Sequence, residues 1–131
     1  MKQALLPPSW AAPRGYANGV AARGTQVFIA GQIGWDAEAR FHTSDFAAQA
    51  KQALQNIVDV LAEAGGKPEH LVRLTWYVTD KREYLAALKD IGRAFRELIG
   101  DYDIAMSAVQ VVALIEDEAK VEIEATAVIP D

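Results

Sequence analysis

The sequence contains no cysteine, and this absence excludes a disulfide framework, a thiolate nucleophile and a cysteine-based zinc site. Histidine is scarce as well: only His42 and His70 occur, without carboxylates at metal-ligand spacing. A metal site would have to be assembled from residues far apart in the chain. Two surface histidines are the simpler interpretation, and we expect no metal.

Long apolar runs are also missing. No stretch reaches the roughly 18 apolar residues of a membrane-spanning helix, and prolines interrupt the short apolar stretch of the N-terminal MKQALLPPSWAAPRG. This pattern fits neither a spanning helix nor a signal peptide. We therefore expect a cytoplasmic protein with no membrane partner.

Positive charge is limited, with 13 Lys and Arg residues against 18 Asp and Glu and a net charge of −5. The cations are scattered singly, whereas a surface that neutralises phosphates needs them clustered. We expect no nucleic-acid partner. A chain of 131 residues has a common size for one domain, so we expect residues 1–131 to form a single unit.

The first half of the chain predicts two strands and a helix. TQVFIAGQIGW, residues 25–35, is rich in β-formers, and its two glycines indicate a tight or bulged end. The preceding YANGVAARG is a candidate hairpin partner for this strand. Apolar residues at three- and four-residue spacing predict an amphipathic helix over residues 44–64, which Gly65 and Gly66 end.

The second half predicts a strand, a helix and two further strands. LVRLTWYVTD alternates, which places Val72 and Trp76 on an apolar face and makes Trp76 a core residue rather than a ligand platform. Asp80 is a candidate helix cap, with Glu83 completing a capping box. The apolar stripe of this second helix is Leu85, Leu88, Ile91, Phe95 and Leu98. SAVQVVAL and KVEIEATAV follow as strands.

The resulting order β-β-α-β-α-β-β predicts an α+β fold, a mixed sheet covered on one face by two helices. The uncovered face of the sheet is either exposed to solvent or in contact with other subunits. It would carry Arg73, Thr75, Tyr77, Glu122, Glu124 and Thr126. In KVEIEATAV, both glutamates therefore point the same way, and either could be solvated or face a site.

Five segments together resemble the RidA/YjgF family of reactive-intermediate deaminases. They are GYANG, VFIAGQIG, AAQAKQALQNIVDVLAEAGG, LVRLTWYVTD and VEIEATAV, and they span nearly the whole chain in order. The resemblance implies a chorismate-mutase-like subunit in a homotrimer, whose sheets form a central β-barrel. It further implies three clefts between subunits, each holding a small metabolite. Active members use no cofactor and hydrolyse enamines and imines to keto acids and ammonia.

The resemblance implies that some of the family's functional residues are retained in this sequence and that others are replaced. Tyr16 matches the tyrosine of the N-terminal loop, and Glu122 matches the cleft glutamate. The serine before Gly-Gln is replaced by Ala30, although Gly31 remains.

Three further positions depart from the family pattern. The family's carboxylate-binding arginine falls at Met106, followed by Ser107, and its cysteine becomes Ala108. An asparagine of the second helix becomes Leu88. The cleft is therefore expected to be less polar, with Glu122 at one wall. Loss of the bidentate arginine is worth about 2–3 kcal/mol, or about 30- to 150-fold in affinity for an acidic imine.

Arg14 is a candidate for a relocated cation, because it precedes Gly15-Tyr16 in the loop that the resemblance places at the cleft mouth. The alternative is an ordinary exposed arginine.

Three functions remain open at this stage. The protein is an imine hydrolase with Glu122 as general base, acting on a non-standard substrate, or a catalytically silent trimer that binds a metabolite. A nuclease role is a weaker third, which the acidic charge disfavours. If the protein is not a hydrolase, Glu122 would be structural and paired across the barrel, with Arg73 as a candidate partner.

Overall fold

The computed structural model describes residues 2–131. Its strands are β1 (Lys2–Leu5), β2 (Gly19–Ala22), β3 (Thr25–Ile33), β4 (Leu71–Val78), β5 (Ala105–Gln110) and β6 (Val121–Ile129). Its helices are α1 (Phe46–Glu63), α2 (Lys81–Ala86) and α3 (Leu88–Leu98), with a 3₁₀ turn at Pro68–His70 before β4. Within residues 2–131, no helix has both the length and the apolar character needed to cross a membrane.

The main sheet has four strands in the order β3-β6-β4-β5. Strand β6 lies antiparallel to β3 and β4, whereas β5 runs parallel to β4. Helix α1 packs on β3 and β6 and contacts α3, so the helices lie on the same face of the sheet. The predicted α+β fold, with a mixed sheet covered on one face, is confirmed.

The core lies between α1 and the sheet. Leu54, Ile57 and Leu61 of α1 are fully buried, as are Leu74 of β4 and Ile123 of β6. Truncating a buried leucine of this kind to alanine costs about 2–5 kcal/mol. The helix begins where the side chain of its N-cap, Asp45, accepts a hydrogen bond from the Ala48 N–H at 2.9 Å.

The predicted hairpin between YANGVAARG and β3 is wrong. Strand β2 pairs antiparallel with β1, with Leu5 opposite Gly19, and the two form a separate small sheet. Gly24 has φ 145°, which redirects the chain before β3 begins. Strand β3 pairs instead with the long strand β6, whose nine residues bury one side against α1.

The second predicted helix is divided at Ala87 into α2 and α3. Leu85 and Leu88, the first two residues of the predicted apolar stripe, are 56% and 47% exposed. The division changes which residues of the segment face the core, and Ile91 is buried. Asp80 is the helix cap, as predicted, and its side chain accepts a hydrogen bond from the Arg82 N–H at 2.8 Å.

Three local predictions in the second half of the chain are also corrected. The Glu83 carboxylate accepts a hydrogen bond from Lys120 Nζ at 3.0 Å rather than completing a capping box. In β4, a register shift between Leu71 and Arg73 leaves Val72 only half-buried and puts Leu71 in the core. Strand β5 begins at Ala105 and ends at Gln110, so the end of SAVQVVAL is a loop.

Candidate functional site

A concave pocket of about 640 Å³ lies between the N-terminal loop, α3 and β5. Its lining comes from five segments of the chain: Pro13–Tyr16, Trp76 of β4, Tyr84 of α2, the face of α3 with the loop that follows it, and Met106–Ala108 of β5. The volume suits a metabolite-sized ligand.

The α3 wall of this pocket follows helical periodicity. Its lining residues are Leu88, Ile91, Gly92, Phe95 and Arg96, which recur at three- and four-residue spacing along one face. The wall is therefore mostly apolar, with a cation near its C-terminal end. Leu88 was expected in the cleft from its sequence position, and it lies in this wall.

A short backbone bridge holds the N-terminal loop against β5. Ala17 pairs in parallel with Ala105, and its N–H donates to the Ile104 carbonyl at 2.9 Å. Ala17 is buried, so this bridge anchors the preceding loop. Arg14 and Tyr16, which precede this bridge, both line the pocket.

Two aromatic rings form the inner end of the pocket. Trp76 is 4% exposed and belongs to the core, as predicted, but it also lines the pocket. The Tyr84 ring lies 6.1 Å from it in an edge-on arrangement, and burial raises the pKa of Tyr84 above its usual range. Both groups are therefore uncharged at neutral pH and give the pocket an apolar, aromatic end.

Glu122 lies outside this pocket, on β6 between Ile33 of β3 and Tyr77 of β4. Strand β3 has a bulge between Ile29 and Gln32, as its glycines predicted. Gly31 lies in the bulge, where a β-carbon would overlap the Glu122 carboxylate. The glycine therefore provides the space that this side chain occupies.

The two glutamates of β6 share a face but differ in their contacts. Glu124 accepts a hydrogen bond from the Tyr77 hydroxyl at 2.6 Å, and this bond is the main reason that the pKa of Tyr77 is raised. Within residues 2–131, Glu122 makes no side-chain hydrogen bond and no ion pair, so it does not pair with Arg73 in the single chain. Its carboxylate is thus available to a ligand or water.

The structure groups the predicted site residues into two sets. Those that line the pocket are Arg14, Tyr16, Leu88, Met106, Ser107 and Ala108. The others, Ala30, Gly31 and Glu122, lie on β3 and β6, and β4 separates these strands from β5. A single subunit therefore does not assemble the whole predicted site.

Sequence reasoning missed several residues of the pocket, including Phe95 as a wall residue, Arg96 and Tyr102. The helical spacing from Leu88 to Arg96 was a usable signal, because it places both on one face. No group of three potential metal ligands occurs within the described residues 2–131.

Comparison with known proteins decides the family. The sequence model of the family described as Endoribonuclease L-PSP matches residues 8–129. This chain belongs to the RidA/YjgF family. Among its relatives, the 2-iminobutanoate/2-iminopropanoate deaminase of Salmonella typhimurium is 34% identical over 105 residues, which is 80% of each chain. A RutC family protein of Aquifex aeolicus is 33% identical over 103 residues, 78% of this chain and 79% of its own.

Solved structures of RidA/YjgF proteins have the same fold. The Rid family protein YyfB of Yersinia pestis matches with a TM-score of 0.86 and 32% identity over 98% of both chains. TdcF of Escherichia coli with bound serine matches with a TM-score of 0.71 and 29% identity, over 90% of this chain and 91% of its own. The α+β subunit expected from the resemblance is confirmed.

Proposed function

We propose that this RidA/YjgF protein is a homotrimeric hydrolase that converts a small enamine or imine into a carbonyl compound and ammonia. The observation that carries the proposal is the separation of the predicted site into two sets on one chain. A ring of three subunits has head-to-tail interfaces, which place different surfaces of two neighbours against each other. The pocket beside Met106 would then meet Glu122 of the next subunit.

The uncovered face of the sheet supports a barrel of subunits. Phe28 on this face is 74% exposed, and it lies among Arg73, Glu124 and Thr126. A contact between this face and another chain would remove the large exposed ring from water. Packing three such faces together would bury Phe28 and close the clefts.

The proposed chemistry needs one base and one water. The Glu122 carboxylate takes a proton from water as the oxygen attacks the imine carbon, and it then gives this proton to the nitrogen, which yields a neutral carbinolamine. The hydroxyl proton of the carbinolamine next moves to the nitrogen as the C–N bond breaks, which releases ammonia and leaves the carbonyl. A positioned general base typically contributes about 10²- to 10⁴-fold to such a step.

The substrate is proposed to differ from the small 2-imino acids named for the Salmonella relative. Met106 places a thioether, not a cation, on β5, and Ala108 adds a methyl group beside it. The pocket keeps an apolar wall where a carboxylate would otherwise be paired. The serine bound to TdcF supports an amino-acid-derived ligand for this fold.

A second candidate is a trimer that binds a metabolite without turnover, which the apolar and aromatic pocket lining also supports. The test is to generate imines with an amino-acid oxidase and to follow their loss with and without the protein. Faster loss that disappears in Glu122→Gln supports the hydrolase. Unchanged loss for every imine tested, together with measurable binding of the same compounds' carbonyl products, supports the binding protein.

A further inference from the structure

The C-terminal half of α3 brings a cation into the pocket. Arg96 lines it next to Phe95, on the helix face that also carries Gly92. It comes from a different element than Met106, which lies across the pocket on β5. The pocket therefore keeps a guanidinium although β5 supplies none.

The Arg96 guanidinium lies over Gly92. A β-carbon built at residue 92 would lie 3.4 Å from Arg96 Nη1, so the side chain runs back over the glycine by about one helical turn. This is the direction in which helical side chains point. The guanidinium therefore lies along the α3 wall of the pocket, about one turn N-terminal to the Arg96 backbone.

The Arg96 guanidinium is available to a ligand. Asp101 and Asp103 line the same pocket, but within residues 2–131 neither forms an ion pair with Arg96. Arg93, on the same helix, forms an ion pair with Asp90 at 3.2 Å and does not line the pocket. The helix thus carries one arginine paired at its surface and one facing the pocket with its donors free.

The remaining lining indicates what else the ligand contains. The rings of Trp76, Tyr84 and Phe95 form an apolar surface opposite the loop that carries Tyr16. Such a surface favours an aromatic or large aliphatic group, which it would remove from water. A carboxylate at Arg96 and a bulky side chain among the rings are compatible within about 640 Å³.

We infer that Arg96 binds the substrate carboxylate and that the substrates are 2-imino acids, or their enamine tautomers, with aromatic or large apolar side chains. This inference rests on the proposed hydrolase function. Arg14 lines the same pocket, but it lies in an irregular loop, whereas Arg96 projects from a regular helix. A helix-held guanidinium is better placed for bidentate pairing with a carboxylate.

The experiment measures binding rather than turnover, so it does not depend on hydrolysis. Isothermal titration calorimetry of the full chain compares 3-phenylpropanoate with 3-phenylpropanamide, which has the same shape without the charge. We expect the acid to bind at least about fivefold more tightly than the amide, as a charge-assisted hydrogen bond implies. Arg96→Gln should remove this preference and leave amide binding within about twofold.

Two matched variants complete the design. Arg93→Gln removes a cation from the same helix outside the pocket and should keep the full preference for the acid. Arg14→Gln should reduce the preference less than Arg96→Gln does. Circular dichroism of each variant checks that the fold is retained, which we expect because these side chains are exposed.

Three results would overturn the inference: no binding of either compound, equal binding of both, or a preference that survives Arg96→Gln. Failure of the proposed function looks different. If acid preference depends on Arg96 but no imine is hydrolysed, the ligand class stands and the protein is a binding trimer. If imines are hydrolysed equally well by Arg96→Gln, the hydrolase stands and the assignment of Arg96 is wrong.

Discussion

Gly31 and Glu122 face each other across the bulge between β3 and β6, and the space occupied by the glutamate carboxylate is the space that any side chain at residue 31 would need. The bulge and the glycine act together. The bulge displaces the backbone of β3 locally, and the glycine lets β6 present a carboxylate close to that backbone. The Glu122 carboxylate thereby lies close to the β3 backbone on the open face of the sheet.

This relationship predicts that Gly31→Ala displaces Glu122. The substitution should cost about 1–3 kcal/mol of unfolding free energy, because the methyl group overlaps the Glu122 side chain from Cγ to the carboxylate, and the whole side chain must change its rotamer. It should also remove any hydrolysis. Urea denaturation measures the first effect and the coupled oxidase assay the second.

Gly92→Ala is the control for the stability measurement. Its β-carbon meets only the flexible end of Arg96, so replacing glycine in a helix should be neutral or stabilising by up to about 1 kcal/mol. Equal stability of Gly31→Ala and the unchanged protein would show that the carboxylate moves aside freely.

The two glutamates of β6 are predicted to differ in function. Glu122→Gln should abolish hydrolysis while the trimer persists, because glutamine keeps the size of the side chain but cannot take a proton from water. Glu124→Gln should keep most of the rate, since the Glu124 carboxylate is already bonded to Tyr77 at 2.6 Å. Steady-state rates of the two variants decide this, and full activity of Glu122→Gln would exclude Glu122 as the base.

Sequence patterns were most informative where one periodicity extends over many residues. The spacing of apolar residues predicts a helix over 44–64, and α1 spans Phe46–Glu63. The alternation in KVEIEATAV places Val121 and Ile123 in the core and both glutamates on the other face, as observed. Each pattern reflects burial of a single continuous face, which local sequence can encode.

Features that depend on distant partners were not predictable in the same way. The pairing of β1 with β2 brings together segments on either side of Pro7 and Pro8, and neither four-residue strand has a distinctive pattern. The position of Arg96 in the pocket follows from how α3 packs on α1, a contact with a distant segment of the chain. The family resemblance predicts Tyr16 and Glu122 as residues of one site, and the structure places them in different parts of the subunit.

Trimerisation is the third prediction. The unchanged protein should be a trimer at micromolar concentration, and Phe28→Glu should yield monomers, because it puts a charge in the centre of the proposed barrel. Val60→Glu alters a 42% exposed residue of α1, away from that face, and should remain trimeric. Light scattering distinguishes these states. A monomeric unchanged protein would remove the proposed clefts.

Acid sensitivity of the loop after β3 is the fourth prediction. Asp36 accepts a hydrogen bond from His42, and this bond, followed by those from the Glu38 and Arg40 N–H groups, lowers the pKa of Asp36. A carboxyl whose pKa is lower in the folded state adds stability above its unfolded pKa of about 3.9. That contribution is lost as the pH falls through the lower, folded value.

The variant His42→Ala tests this linkage. It removes the first of these hydrogen bonds, so it should lower the urea midpoint at pH 6 and have a smaller effect at an acidic pH below the lowered pKa of Asp36, where Asp36 is protonated in both proteins. His70→Ala is a control, because His70 lies in the 3₁₀ turn and does not contact Asp36. An identical effect of His42→Ala at both pH values would contradict the linkage.

The last prediction concerns Met106, which is half-buried on β5 and lines the pocket across from Arg96. Met106→Arg should raise the specificity constant for small 2-imino acids by about 10- to 100-fold, because a guanidinium on β5 adds a charge-assisted pair with the carboxylate. Val109→Arg places the same residue on the same strand at a 46% exposed position outside the pocket lining, and it should give no gain.

The double variant Met106→Arg/Arg96→Gln separates the two cations. It should keep the gain for small imino acids and lose activity toward bulky ones, because the arginine introduced on β5 binds the carboxylate of small substrates, whereas Arg96 binds that of bulky ones. If the unchanged protein is already as fast with small 2-imino acids as Met106→Arg, the thioether at this position does not limit the substrate, and the pocket selects by another contact.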